Sequence, residues 1–279
     1  MSETIEKTFA VSSPARLNLS NIRGSVEIRP GDDGAIRVTA IKQTSSGDAR
    51  RTEIELSQEA DGTVKAATHF PESGWGWIIG SFPCQVDYTV QAPRRCSLKI
   101  NGVSNETSAE GFEGEFSFTS VSGEMALRNL TGPVKVNTVS GKMELAELTG
   151  ELRLHTVSGK ISGRQLTGAL HLDTVSGKVE LEKSSLPSAE ATTVSGGMDL
   201  QTALGEGPYR FNSVSGNVQL TLPPETHCSA ELHAISGSIS TKLPATSTSR
   251  QNGAQTVEVQ GGGVKLAVHS VSGNLSLVS

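Results

Sequence analysis

The sequence predicts an all-β chain: a parallel β-solenoid with 18-residue coils, preceded by an irregular β N-terminal part. Three observations carry that reading. A Thr/Ser-Val-Ser-Gly tetrad recurs at 120–123, 138–141, 156–159, 174–177, 193–196, 213–216 and 270–273, with Ala234-Ile235-Ser236-Gly237 as a looser copy. Its glycines are 18, 18, 18, 19, 20 and 21 residues apart, and the last gap of 36 equals two periods, as if one copy were masked. A second turn signal stands nine residues on, at Leu130-Thr131-Gly132, Leu148-Thr149-Gly150 and Leu166-Thr167-Gly168. The short runs after both turns, such as Lys142-Met143-Glu144-Leu145 and Leu152-Arg153-Leu154, place apolar residues at every second position, which is the period of strands. A unit this short cannot bury its own apolar face, so successive units must stack.

From the N-terminus, residues 1–93 form irregular β coils or a capping module. Arg16–Leu19, Gly24–Ile28, Ile36–Thr39, Glu53–Leu56 and Val86–Val90 alternate, while 30–34 and 45–48 carry the Gly, Pro, Asp and Ser of loops. This part contains an aromatic loop, 74–83, that holds both tryptophans of the chain. Trp75, Trp77, Ile78, Ile79 and Phe82 are the candidate interaction residues there. Two readings stay open: a hairpin whose rings fold back onto the first coil, or an exposed apolar tip that contacts a protein, a sugar or a membrane interface.

Residues 94–279 form the regular repeats. Extrapolation by 18 from Gly123 lands on Asn105, a residue type able to take the positive φ that glycine otherwise supplies. Stacking turns sequence columns into ladders about 4.8 Å apart. Val121, Val139, Val157, Val175, Val194 and Val214 become an apolar stack at a corner. Ser122, Gly123, Ser140, Gly141, Ser158, Gly159, Ser176, Gly177, Ser195, Gly196, Ser215, Gly216, Ser236, Gly237, Ser272 and Gly273 become a structural turn ladder, whose hydroxyls close the turn. Thr119, Asn137, His155, Asp173, Thr192, Asn212, His233 and His269 form a polar column. Leu275, Leu277 and Val278 sit in a strand without proline or charge, so they read as an uncapped C-terminal coil and a candidate association edge.

The chemistry-bearing patterns fall short of sites. A formal charge of −5, with no basic run, argues against nucleic acid and anionic membranes. No stretch nears the roughly 18 apolar residues of a membrane helix. His155 and Asp173, with Ser158 or Ser176, suggest a hydrolytic triad but lack a nucleophile elbow, so no catalytic residue is assigned. Ser-Gly-Lys at 140–142, 158–160 and 176–178 lacks the first glycine of a phosphate loop. The lysines would repel from coil to coil, offset by Glu144 and Glu180. Cys84, Cys96 and Cys228 show no zinc spacing, and the turns lack the aspartates of calcium-binding rolls, so neither metal nor cofactor is expected. The N-terminus reads as neither signal nor anchor, which predicts a cytoplasmic protein that reaches the cell envelope only through a partner.

Thr174-Val175-Ser176-Gly177-Lys178-Val179-Glu180-Leu181, with Tyr88–Pro93 and Leu98–Ile100 upstream, resembles the bacterial β-strand-repeat family of candidate adhesins, a domain family of unknown function. The resemblance implies a right-handed solenoid. The function expected is a non-enzymatic interaction or scaffold role, adhesin-like and tied to envelope stress, with a protein partner or self-association through the C-terminal coil and a glycan as a further ligand class. The alternatives are a carbohydrate-active solenoid enzyme and, for the Thr-x-Ser arrays, an ice-binding protein.

Overall fold

The computed structural model describes residues 1–71, 82–251 and 254–279, and among them there are strands and no helix. The chain divides into two compact units, Met1–Asn137 and Thr138–Ser279. The first holds β1 (Ser2–Ala10), β2 (Ala15–Pro30), β3 (Ala35–Gln43), β4 (Glu53–Gln58), β5 (Val64–His69) and β6 (Gln85–Ala92). It continues with β7 (Cys96–Glu113), β8 (Phe116–Ser122) and β9 (Glu124–Thr131), and β10 (Val134–Thr149) runs through the division. The second holds β11 (Leu152–Arg164), β12 (Leu170–Leu186), β13 (Ala189–Ser195), β14 (Met198–Leu204), β15 (Tyr209–Ser215) and β16 (Val218–Thr221). Its last six are β17 (Cys228–Ser236), β18 (Ile239–Thr241), β19 (Ala245–Gln251), β20 (Ala254–Val259), β21 (Val264–Ser272) and β22 (Leu275–Val278).

In the first unit β7 pairs in parallel with β8 and β9 at the expected offset of 18, Leu98 with Phe116 and Thr107 with Met125. Its other neighbour is β2, with Ala15 opposite Cys96 and Gly24 opposite Asn105. β2 is therefore a rung in register with the repeats, although 81 residues separate the partners. Asn21-Ile22-Arg23-Gly24 is a degenerate tetrad, and a Cβ on Gly24 would lie 2.2 Å from the Val86 carbonyl oxygen. The intervening excursion forms the next layer: β5 pairs in parallel with the first half of β2 and β6 with the second. Antiparallel strands then cover that layer, β4 on β5, β3 on β6 and β1 on β3. A buried chain of bonds fixes it. The Asn21 Nδ2 donates to the Val86 carbonyl at 2.9 Å, the Thr68 hydroxyl donates to Asn21 Oδ1 at 3.2 Å, and Thr68 and Tyr88 share a bond of 2.8 Å. Burial pushes the Tyr88 hydroxyl up to about 12.

Asn105 does not take a positive φ. Its side chain folds over Gly102 instead and donates to Thr107 Oγ1 at 3.0 Å; a Cβ on Gly102 would lie 1.7 Å from its Oδ1. Left-handed backbone occurs elsewhere, at Asn129, Glu147, Gln165 and Lys183, with φ of 49–57°. Those four residues are 18 apart and lie on the approach to the second corner.

The second unit begins as a regular stack. β12 lies on β11 with Leu152 opposite Leu170, then β13 and β14 lie on β12, and β15 and β16 follow on them. Leu154, Leu172, Ala191 and Phe211 succeed one another from rung to rung as one buried column.

After β16 chain order and stacking order part. The next rung on β15 and β16 is the last in sequence: Tyr209 pairs with Leu266 and Val218 with Leu275. β17 and β18 lie beyond it, with Leu232 opposite Val268 and Ile239 opposite Leu275. β20 then adds antiparallel to β17, and β19 to β20. The 36-residue gap thus holds this hairpin, not a masked tetrad. The expected association edge is also overturned, because Leu275 and Leu277 are buried and β22 has a parallel neighbour on each side.

Candidate interaction surface

Each rung sorts its tetrad by strand alternation. In 154–158, Leu154 and Thr156 point inward while His155 and Val157 point outward, and the turn then leaves Ser158 exposed. On three rungs the inward hydroxyl closes the turn, whereas those of Thr174, Thr193 and Ser270 are buried without a hydrogen-bond partner. Thr138 and Thr156 donate to the carbonyls of Ser140 and Ser158 at 3.3 Å, and Ser120 donates to Ser122 at 3.0 Å. On those three rungs the residue two before the tetrad serine makes the turn bond, and Ser122 donates across the rungs to the Val103 carbonyl at 3.2 Å. Burial of Thr138, Thr156 and Thr174 also removes the Thr-x-Ser face on which ice binding rested. The glycines follow from contact: a Cβ on Gly159 would lie 1.9 Å from the Gly141 oxygen.

The valines make the surface. In the second unit Val139, Val157, Val175, Val194, Val214, Val271 and Ile235 are 40–71% exposed, and in the first Val103 and Val121 are about half exposed. Apart from Met1 and Phe82, these nine are the only large apolar side chains exposed among the described residues. A corner stack was legible from the sequence; its outward direction follows from parity, since Val157 is an odd number of residues from inward Leu154 and Thr156.

Charged side chains flank the ridge on the regular rungs. The Lys160 ammonium lies 2.6 Å from Glu180 on the next rung, and Lys178 also pairs with Glu180. The hydrogen bond from Lys160, then that from Lys178, hold the Glu180 carboxyl down at about 2. Lys142 pairs with Glu144. Further along, amides and hydroxyls replace these charges. Asn217 Oδ1 accepts from the Asn274 backbone N–H at 3.0 Å, and Asn274 Oδ1 accepts from the Ser238 N–H at 3.0 Å and its hydroxyl at 2.7 Å.

The triad residues do not assemble. His155 and Asp173 are ladder neighbours, but Asp173 holds His171 Nε2 at 2.9 Å, and the other His171 nitrogen faces Glu190 at 3.6 Å. All three cysteines are buried, and burial pushes the Cys96 thiol up to about 12, away from the thiolate a nucleophile needs. Among the described residues no three His, Cys, Asp or Glu converge as metal ligands. Trp75, Trp77, Ile78 and Ile79 lie outside the described residues; Phe82, beside them, is 64% exposed.

A family model described as Toastrack DUF4097 matches residues 15–278, which bears out the resemblance carried by the repeats. No curated protein matches in sequence. Among solved structures, the chain is similar to a candidate lipid binding protein from Parabacteroides distasonis, at 12% identity and a TM-score of 0.45 over 100% of this chain and 97% of that one. A candidate adhesin from the same organism is 10% identical, with a TM-score of 0.42 over 98% and 97%. A candidate cell adhesion protein from Clostridium sporogenes is 10% identical, with a TM-score of 0.23 over 99% of each chain.

Proposed function

We propose that this chain, which belongs to the Toastrack DUF4097 family, is a non-enzymatic interaction module that associates side by side through its exposed valine ridge. The single observation behind this is that, among the described residues of the second unit, the exposed large apolar side chains are confined to one column. Scattered apolar residues need no explanation, but a contiguous strip does, because water contact with it is relieved only by a partner. Seven β-branched side chains about 4.8 Å apart in the second unit give a strip on the order of 30 Å long. A second copy presents the same strip, so a two-fold contact is self-complementary. The winding is right-handed, as crossover connections between parallel strands are. Glu144 is paired with Lys142, Asp173 with His171, and Glu180, which shares a column with Asp199, with two lysines; carboxylates engaged in this way favour association over glycoside chemistry. The role is adhesin-like in this sense, in the cytoplasm or at the envelope through a partner.

Sedimentation across a concentration series tests the reading, on the wild type and on Val157→Ser/Val175→Ser/Val194→Ser. The expected result is concentration-dependent association that the triple variant loses while keeping its circular dichroism and melting transition. A wild type that stays monomeric, or a variant that associates equally, overturns it.

A further inference from the structure

The polar column ends in two imidazoles on adjacent rungs. His269 of β21 and His233 of β17 are direct ladder partners, with ring centroids 6.0 Å apart and planes at 87°. Of the chain's four other histidines, His69 is held by Glu55, His171 by Asp173 and His227 by the Gln260 carbonyl, while His155 has Asp173 and not a second imidazole as its ladder neighbour. Among the described residues neither His233 nor His269 has a hydrogen-bond or ion-pair partner. They face each other on a partly exposed surface, and Asn212 continues the column on the far side of His269.

The geometry points to His233 and His269 as a bidentate site for a borderline divalent ion such as Zn²⁺ or Cu²⁺. Imidazole is the ligand type these ions select. With metal–nitrogen bonds of about 2.0–2.1 Å and a ring centre about 1.1 Å beyond the ligating nitrogen, two imidazoles on one tetrahedral ion have centroids about 5.2 Å apart. The rings must therefore close by about 0.8 Å, from 6.0 to 5.2 Å, within reach of small rotations of surface side chains. Among the described residues no third His, Cys, Asp or Glu joins the group, so water completes the coordination.

The site has a structural consequence. β17 and β21 are neighbours in space but their histidines are 36 residues apart, with the β19–β20 hairpin between them. An ion shared by both rungs clips the out-of-order rung to the stack, and binding to the folded arrangement alone stabilises it.

Calorimetric titration of the full chain with Zn²⁺, and Cu²⁺ electron paramagnetic resonance, test the assignment. The expected result is one ion per chain, nitrogen hyperfine structure from two imidazoles, and slower amide exchange in 228–236 when Zn²⁺ is present. His233→Gln and His269→Gln should each weaken binding by about tenfold or more, while His155→Gln leaves it unchanged. Both variants should melt as the metal-free wild type does, because beyond their edge contact with each other the two rings have no hydrogen-bond or ion-pair partner among the described residues. The assignment fails if no saturable binding occurs up to about 1 mM Zn²⁺. It fails equally if the affinity is indifferent to both substitutions.

Discussion

Residues 152–204 and 209–278 of the second unit are built from the same tetrad, yet they connect differently. In the first stretch each rung follows its neighbour in sequence, with Ser158 over Ser176 and Ser176 over Ser195. In the second, Ser215 lies against Ser272, and Ser272 against Ser236. The column is kept and the chain order is not. A tetrad specifies what a rung can stack on, because its glycine must pass close to a backbone carbonyl oxygen of the neighbouring rung. It does not specify which tetrad comes next. That choice falls to what joins the rungs, and the β19–β20 hairpin lets the chain pass outward and return inside.

The largest effect that tests this comparison is a methyl group added to the glycine column in both stretches. A Cβ on Gly177 would lie 1.9 Å from the Gly159 oxygen, and one on Gly273 would lie 2.1 Å from the Gly216 oxygen. Neither obstacle is a movable side chain, and both glycines hold positive φ. Gly177→Ala and Gly273→Ala should each cost about 4–5 kcal/mol or abolish folding, as measured by urea or thermal unfolding. Gly62→Ala, at a turn with open space around it, provides the control, at about 1 kcal/mol for its backbone alone. A mild Gly273→Ala would break the comparison, since that coil would not then be wedged between two others.

A smaller effect sharpens the same point. Leu277 is fully buried between Leu220 and Thr241. Leu277→Ala should cost about 3 kcal/mol in unfolding free energy, as a core leucine does. A strand fraying at an open edge would lose almost nothing by the same change.

What the sequence shows of all this follows from where period and contact coincide. The 18-residue offset between β11 and β12 is legible because connection and stacking are the same event there. The offset of 81 between β2 and β7 is not, since it is no multiple of the period and Asn21-Ile22-Arg23-Gly24 keeps only two of the tetrad's features. The inserted β21–β22 rung had one faint signal: Asn217 and Asn274 occupy the position after the glycine where Lys160 and Lys178 stand elsewhere, and they prove to be bonded neighbours. Gln165 and Lys183 hide their left-handed backbone behind ordinary residue types, while Asn105, the type that invites a positive φ, spends its side chain on Thr107 instead. The ridge was half legible, as a column without a direction.

The smallest expected effect separates the two stretches by pH. Glu180 joins two lysines of the regular rungs, whereas Asn217, Asn274 and Ser238 hold the out-of-order rungs without charge. The Glu180 carboxyl is held at about 2 in the folded chain against 4.5 ordinarily, so the unfolded chain binds the proton more readily. Its contribution is therefore complete above pH 4.5 and is lost as pH falls from 4.5 through 2. Because the group is exposed, solvent and salt keep the contribution small. Carboxyl NMR titration should place its midpoint near 2, and Glu180→Gln should flatten part of the stability loss across that window. Glu55, held near 2 chiefly by His69, titrates in the same window and leaves a residual slope in that variant. Asn274→Ala should instead weaken the protein equally at pH 6 and pH 3, because the bonds it removes do not titrate. A Glu180 midpoint near 4.5 would mean that Lys160 does not bridge the rungs, and the two stretches would then differ in connection but not in how their rungs are tied.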